Sequence, residues 1–398
     1  MRKKVGETDI DIDMLACAYL AGEEKKQIEI AEILGLSQAT VSRLLKQARK
    51  KYLKEEVRFL REEVDDEMME KILHRAARKR LGNELDELAK RYTGLRGPIL
   101  RVFPSSGKGG AVSEWGNRLL KFSPQAAPFV KDLLVRANLC GVSWGTTVRG
   151  IVSALQKISL PPPRANTPIR VIPLCGEPLG NLPTSFSSSN LAADIEIFLN
   201  GDNKETFSLG MVPAFIPDNF TRAQLEGIWQ LIGLVEGYNR IFGKNTSKKS
   251  TQVPLVEELD TVLTSVSSSD RPLALRGSAL FRTIGNIDLK MLGELVIGDI
   301  SGVCIPRPGL NKADRAKVDQ VNKRWTGIRR EHLEACARRS ALSDLLKGPP
   351  GIIVIAFGKN KAECVFECIK LGLANVLLVD DDLEEELERL VKLENSQG

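Results

Sequence analysis

Histidine is nearly absent from this chain: 398 residues contain two, His74 and His332. Imidazole is the commonest acid–base group near neutral pH and a frequent metal ligand, so its scarcity removes most routes to either chemistry. The seven cysteines (Cys17, Cys140, Cys175, Cys304, Cys336, Cys364, Cys368) are odd in number and scattered. That argues against a disulfide framework and predicts a reducing, cytoplasmic setting. Cys364 and Cys368 share a helical face. With no further ligands near them in sequence, they read as core packing, and neither a metal nor a cofactor is expected. No run of 18 apolar residues occurs, so no membrane span is expected. The N-terminal stretch MRKKVGETDIDIDM has no apolar centre and does not read as a secretory leader.

What is present is a chain with 42% apolar and 27% charged residues, ordinary for a globular protein with room for two or three domains. The net charge of +6 is mild, but it is unevenly placed. Between Ile33 and Lys54 stand Arg43, Lys46, Arg49, Lys50, Lys51 and Lys54, with no acidic residue. A local basic stripe on a balanced protein points to a polyanion partner at that place.

The same stretch, QIEIAEILGLSQATVSRLLKQARKKYL from Gln27 to Leu53, divides into two helices. Ile28, Ala31, Ile33 and Leu34 give the first an apolar face. Gly35 permits the tight turn, and Ser37 suits the N-cap of the second helix. Val41, Leu44, Leu45 and Ala48 then point inward, while Gln38, Thr40, Ser42, Arg43 and Lys46 point out. An earlier helix near Asp11 to Ala21 supplies Leu15, Ala16 and Tyr19 to a three-helix core. This is the helix-turn-helix pattern. Ser37, Gln38, Thr40 and Ser42 are small or polar enough to approach base edges, and Arg43 and Lys46 reach phosphates. Double-stranded DNA is the expected partner. A long polar helix, roughly Glu55 to Arg80, follows with a narrow seam of Val57, Leu60, Val64, Met68 and Ile72. The seam suits dimerisation or packing on its own domain.

From Pro98 onward short apolar runs alternate with helical patterns: PILRVF, LCGVSW, IRVIPL, GIIVIAF and NVLLVD. Such alternation predicts an α/β domain with a mostly parallel sheet, whose ligands bind at the carboxyl ends of the strands. Three loops fall at such ends. In GVSWGTTVRG, glycines let the backbone approach a ligand. The free N–H groups at the start of a helix from Val148 to Leu155, with the hydroxyls of Ser143, Thr146 and Thr147 around Gly145, form an anion cradle. In FGKNKAECVFECIKLG, Gly358 opens a loop whose lysines, Lys359 and Lys361, offer a countercharge. In ELVIGDISG, Asp299 sits in a glycine turn, placed either to accept from sugar hydroxyls or merely to bond its own backbone.

Other motifs compete less well. GVSWG fits the nucleophile elbow G-x-S-x-G, but the only downstream histidine, His332, lies within a helical stretch. SSGKGG, Ser105 to Gly110, lacks the first glycine and the magnesium-binding hydroxyl of a P-loop. The run DDDLEEELERL reads as a helix start with acids at the favourable end of the dipole.

Taken together, QIEIAEILGLSQATVSRLLKQAR, GVSWGTT, VIGDISG, RWTGI (Arg324 to Ile328) and FGKNKAE resemble the motifs of the SorC family of bacterial sugar-responsive transcriptional regulators. The resemblance covers Ile10 to Glu386. It implies a winged helix-turn-helix part and an effector domain like the ribose-phosphate isomerase and glucosamine-phosphate deaminase fold. It also implies a phosphorylated sugar effector and a homo-oligomer, dimer or tetramer. By position it implies that Ser143, Gly145, Thr146 and Thr147 hold phosphate with Lys361 as countercharge, that Arg324 assists, and that Asp299 faces the sugar. Where the family commonly has two glycines before its lysine loop, this chain has Phe357 and Gly358. The expected division is a DNA-binding part over 1–56, a helical linker over 57–96 and an effector domain over 97–398. The expected role is regulatory rather than enzymatic. The alternative is a sugar-phosphate isomerase or deaminase carrying a DNA-binding module.

Overall fold

The computed structural model describes residues 9–22, 25–51, 66–105, 115–159, 168–177, 187–201, 205, 207–210, 212–216, 220–243, 253–268, 293–344 and 347–397. The chain divides into two compact units, Met1–Asp86 and Glu87–Gly398.

In the first unit, α1 (Asp9–Gly22), α2 (Gln27–Leu34) and α3 (Gln38–Lys51) surround one small core. Helix α2 stops because Gly35 turns left-handed, with φ 60°. The Gly35 N–H then donates to the Glu32 carbonyl, and that of Leu36 to Ala31. Two residues later the Ser37 hydroxyl accepts the Thr40 N–H at 3.1 Å and starts α3. Met14, Cys17, Ile30, Leu34, Val41, Leu44 and Ala48 fill the core, with Ala16 and Leu45 beside them. Ile28, expected inward, is 56% exposed. The buried pair of this short helix is instead Ile30 and Leu34, one turn apart. The side chains of Leu15 and Tyr19 lie outside the described residues.

The following helix, α4 (Asp66–Thr93), runs well past the expected end at Arg80. Leu81, Leu85, Leu88 and Ala89 are its buried positions among the described side chains, the i, i+4, i+7, i+8 spacing of one helical face. Val57, Leu60 and Val64 lie outside the described residues, as do the side chains of Met68 and Ile72. A wing after α3 would also fall on residues outside that set.

The second unit is built on β1 (Ile99–Val102), β2 (Leu139–Val142), β3 (Arg170–Pro173), β4 (Thr261–Ser265), β7 (Gly351–Ala356) and β8 (Val376–Val379). They form one sheet in the order β1-β8-β7-β4-β2-β3, every neighbouring pair parallel. All five expected strands are there. The sixth, β4, was not expected and lies in the middle. A separate antiparallel hairpin comprises β5 (Val296–Ile300) and β6 (Val303–Pro306).

Alternation along each strand sends side chains to two faces. Cys140, Val142, Leu263, Ile353, Ile355 and Val376 pack beneath α5 (Trp115–Leu134), α6 (Thr146–Leu155) and α7 (Ser188–Asn200). Helices α8 (Arg222–Gly233), α9 (Glu236–Phe242) and α10 (Leu255–Glu258) precede β4. Then α11 (Lys312–Arg324) packs on β6, and α12 (Arg330–Ala341) packs on β7 and β4. The Asn375 side chain ties α12 to the sheet by donating to the Ala337 carbonyl at 3.0 Å. The extra stretch around 311–348 is thus a structural layer. After β7 come α13 (Ala362–Lys370) and, after β8, α14 (Asp381–Gln397), which begins at the acidic run as expected.

The strand order locates a crevice. From β2 the chain moves outward through α6 to edge strand β3, whereas from β4 it moves the other way to β7. Loops leaving neighbouring strands in opposite directions open a gap at their carboxyl ends, where α/β sheets bind ligands. Here that gap lies above β2 and β4.

Candidate functional site

The loop after β2 leads into this crevice. Ser143 is 1% exposed. Its N–H donates to the Leu263 carbonyl at 3.1 Å, and its hydroxyl to Thr264 Oγ1 at 2.9 Å. Ser143 is therefore a rivet between β2 and β4. His332, the histidine downstream of it, caps α12 instead: its Nδ1 accepts the Arg329 N–H at 3.2 Å, and its Nε2 lies 3.4 Å from a Glu257 carboxylate oxygen. Gly145 follows with φ 138°, and no side chain among the described residues caps the helix it opens. That helix begins at Thr146, two residues before the expected start, so Thr146 and Thr147 form its first turn. Thr146 is exposed and Thr147 buried. Uncapped N–H groups, a positive dipole end and an exposed hydroxyl suit an anion.

The hairpin brings a second group. Asp299 lies in β5 rather than in the turn, which is the two-residue Ser301–Gly302 link. Ser301 has φ 53°, alone among the described non-glycine residues in adopting a positive value, as this turn type requires. Its hydroxyl holds Thr264 Oγ1 at 2.8 Å, so one threonine joins loop, strand and hairpin. The Asp299 carboxylate accepts from the Gly302 N–H at 3.0 Å and from the Ser267 hydroxyl. The plain turn-forming role is therefore part of what Asp299 does. Burial raises its pKa, while those two hydrogen bonds and the charge of Lys361 pull the other way.

Lys361 is the third. It ends a single 3-10 turn, Lys359–Lys361, after β7. Gly358 opens this loop with φ 89°, a backbone angle that favours glycine, and its N–H donates to buried Asp380 at 2.9 Å. The two lysines differ. Lys359 is exposed and pairs with Glu385 at 2.6 Å. The Lys361 N–H donates to the Gly358 carbonyl at 3.1 Å, but its ammonium makes no ion pair or hydrogen bond among the described residues; Nζ sits 5.4 Å from the centroid of Phe357. Burial lowers its pKa to about 8, against the pull of Cys364, Asp299 and Asp380. A cation held by an aromatic face instead of a carboxylate keeps its charge available to another anion. Strand β7 is two strands from β2, about 10 Å away.

Arg324 closes α11, and its carbonyl accepts the Ile216 N–H at 3.0 Å. The contact to the β2 loop comes from the next residue: Trp325 stacks on Trp144 with centroids 6.4 Å apart and planes 19° apart. Sequence reasoning did not single out Thr264, Ser267, Trp144 or Trp325. The signal available for the first two was the serine- and threonine-rich end of LDTVLTSVSSS.

In the first unit, Gln38, Ser42, Arg43 and Lys46 of α3 are exposed. Ser37 and Thr40 bond each other at 2.8 Å, so their hydroxyls build the cap more than they face outward. Arg43 and Lys46 make no ion pair among the described residues and leave a positive helix face open to a polyanion. The side chains of Arg49, Lys50 and Lys51, like Lys54, are outside the described set.

No protein-family model matches the chain, and no curated protein matches it. Solved structures do. The full-length sorbitol operon regulator SorC from Klebsiella pneumoniae aligns over 95% of this chain and 99% of its own, with TM-score 0.52 and 19% identity. A DeoR family transcriptional regulator from Listeria monocytogenes covers 77% of this chain and 99% of its own, with TM-score 0.51 and 17% identity. A transcriptional regulator from Streptococcus pneumoniae covers 79% and 97%, with TM-score 0.53 and 14% identity. At these identities the likeness is one of fold, and it is the fold that the sequence motifs implied.

Proposed function

We propose that this chain is a DNA-binding transcriptional regulator controlled by a phosphorylated sugar. Residues 1–56 grip DNA through α3, residues 57–96 link, and residues 97–398 sense the effector. The observation that carries the reading is Lys361: a half-buried ammonium, unpaired among the described residues, near the crevice that the uncapped start of α6 lines. A phosphate there receives the N–H groups of the first turn, the hydroxyl of Thr146 and the charge of Lys361, while Asp299 accepts from the sugar's hydroxyls. Arg324 adds positive charge from the end of α11. Gln38 and Ser42 read base edges, Arg43 and Lys46 hold phosphates, and Ser37 with Thr40 set the helix on the DNA.

The fold is shared with solved transcriptional regulators, one of them described as a regulator of a sorbitol operon, and that supports the regulatory reading over the enzymatic one. Control requires that the effector favour one of two assembly states, because only a difference in affinity shifts an equilibrium. A dimer or tetramer supplies such states and presents two copies of α3 to one site.

The test selects bound sequences from a random DNA pool with the full chain, then adds sugar phosphates at millimolar concentration. The reading predicts that at least one of them changes the DNA retained, and that Lys361→Met removes the change. DNA retention indifferent to every phosphorylated sugar, or a response unaltered by Lys361→Met, contradicts it.

A further inference from the structure

Trp325 is almost wholly buried, at 1% exposure, and three elements of the site close around it. A Cβ at Gly302, in the hairpin turn, would stand 2.0 Å from its ring, and one at Gly327 would stand 2.8 Å from its indole nitrogen. Trp144 stacks on it from the β2 loop. Trp144 is the outermost member of this packing: half-buried, its ring lying nearly parallel to that of Trp325. The indole is thus a rigid plate, backed by a second plate and a glycine turn that admits no side chain.

Its place in the chain matters. Gly145, Thr146 and Thr147 follow it immediately, at about 3.8 Å per residue. A group bound by the α6 start therefore carries the rest of its molecule within reach of the half-buried Trp144 indole. The face of an indole is electron-rich. The C–H groups on one side of a cyclic sugar, polarised by the neighbouring oxygens, make a flat and weakly positive partner. An open-chain polyol offers no such face and loses more torsional freedom on binding.

We infer that Trp144, backed by Trp325, is a stacking platform that makes this site select the closed ring form of its effector over the open chain. This rests on the reading of the crevice as the effector site. Selection for a ring would be imposed by the indole, whatever the anion contributes.

The experiment compares matched ligands by calorimetry on the full chain: aldopentose 5-phosphates and aldohexose 6-phosphates, each beside its own alditol phosphate. Inorganic phosphate is titrated as a competitor. At least one ring phosphate is expected to bind about tenfold tighter than its alditol. Trp144→Ala should collapse that ratio to about one by weakening the ring ligand, and Trp144→Phe should restore most of it. Tryptophan fluorescence should be quenched by the ring ligand in wild type and lose that response in Trp144→Phe. No ring preference in any pair, or a preference that survives Trp144→Ala, overturns the proposal. Failure of inorganic phosphate to compete instead overturns the anion cradle, while the ring-to-alditol ratio still decides the platform.

Discussion

The Ser143 hydroxyl donates to Thr264 Oγ1 at 2.9 Å, and Thr264 is also the atom that the Ser301 hydroxyl holds at 2.8 Å. One buried threonine therefore fixes the β2 loop, the central strand β4 and the β5–β6 turn together. Replacing Thr264 with valine keeps the shape and removes the shared oxygen, leaving two buried hydroxyls without this partner. Each such loss costs about 1–3 kcal/mol. Thr264→Val should lower the urea midpoint with an unchanged m-value, and an unchanged midpoint would show that these hydroxyls find other partners.

Arg43 and Lys46 project from α3 without an ion pair among the described residues. Arg43→Ala should weaken binding to a selected DNA sequence and reduce the slope of log affinity against log salt by about one. A gel-shift series at several salt concentrations measures both. A normal affinity and slope would place the DNA contact elsewhere.

The same helix depends on its cap. Ser37→Ala removes the acceptor of the Thr40 N–H and should cost about 1 kcal/mol of stability in the first unit. Ser37→Asp, which retains a capping oxygen, should be close to wild type in thermal unfolding followed by circular dichroism. Equal loss in both variants would mean that the hydroxyl matters for something besides the cap.

Anion binding should depend on pH with a defined sign. Burial lowers the Lys361 pKa to about 8, opposed by Cys364, Asp299 and Asp380, so the amine is charged below that value and neutral above it. A phosphate monoester becomes a dianion above about pH 6. Affinity should therefore be greatest between these values and fall above pH 8, approaching tenfold per unit as the lysine loses its proton. In Lys361→Met the fall above pH 8 should vanish. Calorimetric titrations from pH 6 to 10 read this directly, and a flat wild-type profile would remove Lys361 from the anion site.

Gly302 should tolerate no side chain. Its φ is 83°, and a Cβ would strike the Trp325 ring. Gly302→Ala should be destabilising and should disturb the Trp144–Trp325 stack, visible as a changed near-ultraviolet circular dichroism signal. An unperturbed signal would mean that the turn and the ring are not coupled.

Much of this architecture was legible in the sequence because it rests on local chemistry. Gly35 and Ser37 announce the turn and cap of α3 through backbone conformation and one hydroxyl, and β7 and β8 announce themselves as unbroken apolar runs. What was missed depends on long-range pairing. Strand β4, TVLTS, mixes threonine and serine with apolar residues and looks like a polar loop edge. Its membership of the sheet follows only from parallel neighbours on both sides, β2 and β7. Asp299 was placed in a turn because glycines flank it, whereas pairing with Cys304 puts it in a strand and moves the turn to Ser301–Gly302. Trp325 was read as part of RWTGI, but its meeting with Trp144 joins residues 181 positions apart and carries no local signal. The lysine loop offered two lysines. The family resemblance pointed to Lys361, and the fold gives the physical difference: Lys359 pairs with Glu385, whereas Lys361 is held over Phe357.

An anionic sugar that alters the grip of α3 on DNA through the α6 start and Lys361 should change the DNA affinity of the wild-type chain about fivefold or more at saturating sugar phosphate. In Lys361→Met the affinity with and without the sugar phosphate should be the same within error. Equal changes in both proteins would rule out Lys361 as the residue that couples effector to DNA.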